Sequence, residues 1–117
     1  MINVYLSKVL EGGTTVNTKE SVGDYKDYYR LGGFELFDVV RVEWKGLEIS
    51  LYVDDEGMMK PNNYGREVVG YPQPLFGNII VTGGVDAEGE TLGVPEELSI
   101  VDLMDYINDP SYITKGE

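Results

Sequence analysis

The chain has 117 residues, 42% of them apolar and 26% charged, which suits one ordinary domain with its own core rather than a disordered segment. It has no cysteine and no histidine, so disulfides, thiolate nucleophiles, imidazole bases and Cys- or His-ligated metals are excluded. Twenty-one acidic residues against nine basic ones give a formal net charge of −12, a field that repels nucleic acid and anionic lipid.

In chain order, Ile2, Val4 and Leu6 alternate with polar residues through Val9 and predict a first strand, ended at Glu11-Gly12-Gly13. From Ser21 to Leu31, Val22, Tyr25, Tyr28 and Tyr29 fall near helical spacing, and Gly32-Gly33 follows where a helix C-cap belongs. Residues 35–44 and 47–53 are rich in alternating β-formers, and Lys45-Gly46 between them predicts a tight hairpin. Residues 61–78, PNNYGREVVGYPQPLFGN, hold three prolines, three glycines and three asparagines and read as a long loop. Asn78 to Val81 is a short apolar strand before Gly83-Gly84. Ser99 and Asp102 form a capping-box pattern for a last helix from Ile100, with Leu98 and Leu103 at the staple positions. Its apolar stripe is Ile100, Leu103, Met104 and Ile107; Asp102, Asp105 and Asp109 fall opposite, and Pro110 ends it. The expected architecture is a single α+β domain over residues 1–117, a small mainly antiparallel sheet with two short helices packed on one face.

Acidity is concentrated late. Residues 1–66 carry a net −3 and residues 67–117 a net −9, with no cation between Arg66 and Lys115. Asp54-Asp55-Glu56-Gly57 and Asp86-Ala87-Glu88-Gly89 share a D-x-E-G pattern after a strand, which reads first as a turn in which Asp bonds to its own backbone. The competing calcium-loop reading uses Asp86, Glu88, Glu90 and Glu97, but Thr91 stands where such a loop needs glycine, and Pro95 intrudes. No metal and no cofactor is expected. Paired carboxylates of the glycosidase kind carry little weight among so many acids, so a carboxylate-dependent hydrolase is the remote alternative. Nine tyrosines and Trp44 are a high aromatic load. Tyr5 and Tyr52 are assigned to the edge of the core, and Tyr64, Tyr71 and Tyr112 to loops, where exposed tyrosine among acids suits a protein-binding face.

The block DVVRVEWKGLEISLYVDDEGMMKPNN, followed by LFGNIIVTGGVDAEGETLGVPEE, resembles a family known only as domain of unknown function 3846, found in phages, plasmids and conjugative elements. The shared cues are Leu31-Gly32-Gly33, a strand, Asp55-Glu56-Gly57, Gly77-Asn78 before an apolar strand, and the second D-x-E-G, over about residues 22–97. The long proline-containing loop departs from the family pattern, and the family has no catalytic residues to carry over. The resemblance implies a mobile-element setting in conflict with host defence, where small acidic proteins act as anti-CRISPR or anti-restriction inhibitors, some by imitating DNA.

The resulting expectation is a non-enzymatic inhibitor of a nucleic-acid-handling defence complex. It would offer Asp86, Glu88, Glu90, Glu96, Glu97, Asp102, Asp105 and Asp109 to a basic protein surface. Helical spacing of the last three would repeat at intervals comparable with phosphates along a strand. No direct nucleic-acid or membrane partner is expected, and homo-oligomer formation is left open. The alternative is a small-ligand or nucleotide-signal sponge, in which loop 61–78 closes through Tyr64, Arg66, Tyr71 and Phe76. The opening MINVYLSKVL lacks the pattern of a secretion leader, and no run approaches a membrane span, so a cytoplasmic location is expected.

Overall fold

A computed structural model describes residues 1–10, 12–57, 64–108 and 112–113. The expected hairpin forms from β3 (Phe37–Trp44) and β4 (Leu47–Asp54), numbered after β1 (Ile2–Val9) and β2 (Thr15–Val22). Its two-residue turn puts both Lys45 and Gly46 at positive φ, 53° and 78°, the backbone twist that joins right-twisted strands without splaying them. Trp44 therefore faces Leu47, Glu43 faces Glu48, and Val40 faces Leu51. Strand β7 (Ile79–Gly83) pairs antiparallel with both β1 and β4, giving a five-stranded sheet of order β2-β1-β7-β4-β3.

Strand β2 was not among the sequence expectations, because TVNTKESV has few apolar residues to alternate. It is an edge strand, held by eight register pairs with β1 from Ile2–Val22 to Val9–Thr15, and an edge needs less apolar surface than a central strand. It also takes Ser21 and Val22 from the expected helix. The observed helix α1 (Tyr25–Gly32) begins where Asp24 accepts the Lys26 N–H and Asp27 reaches back to the N–H groups of Gly23 and Asp24. It ends as expected, with Gly33 at φ 70° donating to the Tyr29 carbonyl.

The two helices do not share a face. Side chains alternate along a strand, so Tyr5, Leu51, Val53, Ile79 and Val81 face one way and Val4, Leu6, Tyr52 and Ile80 the other. Tyr28 of α1 packs on the second set; Leu103 and Tyr106 of α2 (Leu103–Tyr106) pack on the first, with Trp44, Leu98 and Ile107. The expected one-sided packing is corrected by the central strand. Ile79, Ile80 and Val81 have no exposed surface, so an uncovered face would leave large apolar area in water.

The last helix is also shorter than expected. Ser99 precedes a 3₁₀ turn, Ile100–Asp102, and the Asp102 carboxylate accepts the Ser99 N–H at 2.9 Å, as the capping pattern requires. However, Ile107 leaves the helix in an extended conformation, forms a bridge with Val68 and is buried beside it. Burying Ile107 there breaks the helical path, so Asp102 and Asp105 do not belong to a helix reaching Asp109. Asp109 and Pro110 lie outside the described residues, as do Glu11 and residues 61–63.

Part of the expected loop 61–78 is a second small sheet, of order β6-β5-β8, from β5 (Tyr64–Arg66), β6 (Leu75–Phe76) and β8 (Tyr112–Ile113). After β7 the chain folds back: the Gly83 N–H donates to the Leu92 carbonyl at 2.9 Å, Leu92 N–H to the Gly84 carbonyl at 2.8 Å, and Val94 N–H to the Asn3 carbonyl at 2.8 Å. A Cβ on Gly83 would stand 2.2 Å from the Gly93 carbonyl oxygen, a backbone atom that cannot rotate away. Gly83→Ala is expected to destabilise the fold by about 2 kcal/mol or more, the scale of overpacking in a dense core, as a lowered urea midpoint with unchanged slope.

Candidate functional site

Of the acidic residues singled out in the sequence, five lie in segment 84–98, which starts against Glu48 of β4 and further on bonds to Asn3 of β1. Asp86 turns inward: its Oδ1 accepts the N–H groups of Glu88 and Glu90, each at 2.9 Å, and Gly89 closes the turn at φ 84°. This is the turn reading of the D-x-E-G pattern, and Asp54 repeats it by accepting the Glu56 N–H at 2.9 Å. Glu88, Glu90, Glu96 and Glu97 are exposed. Because the backbone of the segment bonds inward to β7 and β1, its carboxylates are left to solvent.

Two further acids join them that sequence reading passed over. Glu43 and Glu48 are direct cross-strand partners, both exposed, and Glu48 Oε1 lies 3.0 Å from where a Cβ on Gly84 would be. Like charges directly opposite each other oppose strand pairing. The signal was available, since a two-residue turn at Lys45-Gly46 forces residues 43 and 48 into register. Asp102, by contrast, is engaged: Lys45 Nζ is 3.1 Å from its Oδ1. The Ser99 N–H first, and Lys45 second, hold its carboxyl below the usual aspartate range. Asp105 is exposed on α2.

The residues of the alternative binding loop do not converge on one site: Arg66 lines a hollow of about 320 Å³ with Thr15, Asn17, Ile100 and Met104, whereas Tyr71 lines a separate one. Arg66 is 2% exposed and its guanidinium donates to the Ser7 carbonyl at 3.0 Å and to the Ser7 hydroxyl, fastening β5 to β1. These bonds tie the guanidinium to the fold, a structural role that the sequence reading did not assign to it. Tyr71 packs against the core, Tyr64 lies over Gly13, and Phe76 is half-buried in β6. A cavity of about 260 Å³ near the loop is lined by Glu67, Tyr71, Pro72 and Pro74 among others, with no cation in its wall.

A third feature lies on the α1 face of the sheet. Tyr28 and Tyr52 stack with centroids 4.0 Å apart and planes 2° from parallel, and Phe37 leans on Tyr52 at 5.3 Å and on Tyr28 at 5.8 Å. The Tyr52 hydroxyl hydrogen-bonds with Thr91 Oγ1 at 3.1 Å. Burial, and then the adjacent Tyr52, raise the Tyr28 phenol well above the usual tyrosine range, so Tyr28 keeps its proton across ordinary pH. Next to this cluster is a groove of about 510 Å³ whose lining includes Tyr25, Val39, Asp24, Glu90 and Thr91. Sequence reading placed Tyr25 and Tyr28 in a helix and Tyr52 in a strand, but no periodicity joins residues 24–28, 37–39, 52 and 90–91.

Among the described residues, no group of three or more acidic side chains is arranged to hold a metal ion, and no helix is long and apolar enough to cross a membrane. The architecture is therefore that of a small α+β domain with an acidic edge and an aromatic groove. Over residues 7–108 the chain matches the family described as Domain of unknown function (DUF3846), and it belongs to that family. Searches of curated proteins and of solved structures returned no match.

Tyr106 gives a pH test of this packing. Its ring stacks on Trp44 at 4.6 Å and 18°, and burial pushes its phenol from 10.0 up to about 12. Below pH 10 native and unfolded chains both keep the proton. Between 10 and about 12 the unfolded chain loses it first, so stability falls as pH rises through that window. Urea midpoints taken on either side of pH 10 should show this fall, and Tyr106→Phe should make it shallower.

Proposed function

We propose that this chain is a non-enzymatic binding protein whose acidic edge engages a basic protein surface. In the mobile-element setting that surface belongs to a nucleic-acid-handling defence complex, of the anti-CRISPR or anti-restriction target type, and the edge occupies its nucleic-acid groove as a DNA mimic in the cytoplasm. The observation that carries this reading is the exposed run Glu88, Glu90, Glu96 and Glu97, with Glu48 against the start of that segment and Glu43 opposite Glu48, in a chain with no lysine or arginine between Arg66 and Lys115. A groove that binds phosphates by lysine and arginine attracts such an edge for the same electrostatic reason. The support no longer includes a helical aspartate ladder. It rests on carboxylates fixed by a turn and by strand register, which are held in place at lower entropic cost than a flexible tail.

The test is phage plating on hosts carrying active CRISPR or restriction systems, with and without the chain expressed, joined to binding of the purified complex at two salt concentrations. Protection should appear against at least one system, and affinity should fall by about tenfold or more as salt rises, because the attraction is screened over about 8 Å at physiological ionic strength. Changing Glu88, Glu96 and Glu97 together to Gln should weaken binding by about tenfold while shifting stability by less than about 0.5 kcal/mol. Full protection by that triple variant, or no protection against any system, sinks the proposal.

A further inference from the structure

We infer that the groove between α1 and the Glu90-Thr91 turn receives an arginine side chain from a basic segment of the partner. This rests on the reading of the chain as a binder of basic protein surfaces and names the contact that makes it specific. Tyr28 and Tyr52 line the groove but stack on each other and are almost fully buried, so the aromatic face it offers is that of Tyr25, 62% exposed, with Val39, 38% exposed, also in its lining. An exposed tyrosine ring beside an exposed valine favours a planar, weakly hydrated group over a compact hydrated one.

The lining supplies the sign of the occupant. Asp24 and Glu90 both line the groove, together with the exposed Met1, and no lysine or arginine side chain does. Asp24 Oδ1 accepts the Lys26 N–H at 2.8 Å, which fixes the carboxylate at the start of α1 without removing its charge. An anionic ligand meets two carboxylates there, and a second copy of the chain brings a formal charge of −12 against the same field. A guanidinium satisfies both demands: its face stacks on the Tyr25 ring while its edge donates to a carboxylate. Ammonium carries the charge but not the plane. The groove volume, about 510 Å³, falls within the range of ordinary ligand sites and leaves room for part of a neighbouring residue.

The probe is a synthetic peptide of alternating glycine and arginine, titrated into the full chain by NMR, with two comparison peptides in which lysine or the neutral isostere citrulline replaces arginine. Shifts should centre on Tyr25, Val39 and Thr91. The citrulline peptide should bind about tenfold more weakly and the lysine peptide about threefold more weakly. Tyr25→Ala should weaken the arginine peptide by about fivefold, and Asp24→Asn or Glu90→Gln by about threefold each. These three positions are exposed, and Asn caps a helix as Asp does, so the variants keep the fold. Equal binding of the lysine peptide, unchanged binding by Tyr25→Ala, or no binding of the arginine peptide overturns the groove. If the Glu88, Glu96 and Glu97 triple variant still loses the defence complex in that case, the acidic-edge reading stands and only the groove falls. Loss of peptide binding in Tyr25→Ala with no defence complex bound at all separates the two the other way.

Discussion

Strand β7 is buried on both faces, and most of the remaining architecture follows from meeting that constraint. Ile80 points to one side and Ile79 and Val81 to the other, all without exposed surface. Each buried side chain of this size contributes about 1.5–3 kcal/mol relative to exposure, so neither face can be left wet. Helix α1 covers one face through Tyr28, while Leu98, Leu103 and Tyr106 cover the other. The chain leaving β7 must therefore pass from face to face around the end of the sheet. Thr91 meets Tyr52 on the α1 side, Gly93 passes against Gly83, and Leu98 is buried on the opposite side. The acidic stretch is this crossing. Its hydrogen bonds are spent inward on β7 and β1, which explains how a segment with so little regular structure is held and why its carboxylates face solvent.

What was legible in the sequence was whatever one or two neighbouring elements decide. Alternating β-formers around Lys45-Gly46 specified the hairpin, Gly32-Gly33 the end of α1, and the apolar run near residues 78–81 the strand that became β7. Distant partners decided the rest. Edge strand β2 has little periodicity of its own and is defined by pairing with β1; α2 stops at Tyr106 because Val68 draws Ile107 into an extended bridge. The sidedness of the helices was in principle readable from β7, because a strand apolar at consecutive positions has two faces to cover. For the site, the acidic residues were legible as composition, but their availability was not: Asp86 is absorbed by its own turn and Asp102 by Lys45 and Ser99, whereas Glu43 and Glu48 are added by register.

The chain's cations sharpen the asymmetry. Arg66 is turned inward to Ser7, Lys45 is held at Asp102, and Arg30 stands 3.1 Å from Asp27 in α1. None of the three lies in segment 84–98, although Lys45 stands in the turn between Glu43 and Glu48, and Arg41 shares a hollow with that pair. Surface ion pairs of this kind contribute little stability individually, so their main effect here is on the pattern of exposed charge. The pattern that results is carboxylate-rich along one stretch of chain and mixed elsewhere, which suits directional approach better than uniform repulsion.

In the proposed binding, an acidic edge and an aromatic groove that share Glu90 would divide the task of recognition by distance. The edge acts beyond contact, through a field that decays over about 8 Å at physiological ionic strength, so it governs how often and in which orientation a basic surface arrives. It cannot distinguish one array of cations from another, because at that range lysine and arginine are the same charge. The groove acts only at contact, where ring stacking and the reach of Asp24 and Glu90 depend on the shape of the arriving group. The two therefore affect different rates. Screening by salt slows association, whereas removing an aromatic wall hastens dissociation. A binder that carried only the acidic edge would compete for every basic surface in its surroundings, and a short-range aromatic contact at one end of that edge is the physical means by which this chain would prefer one of them.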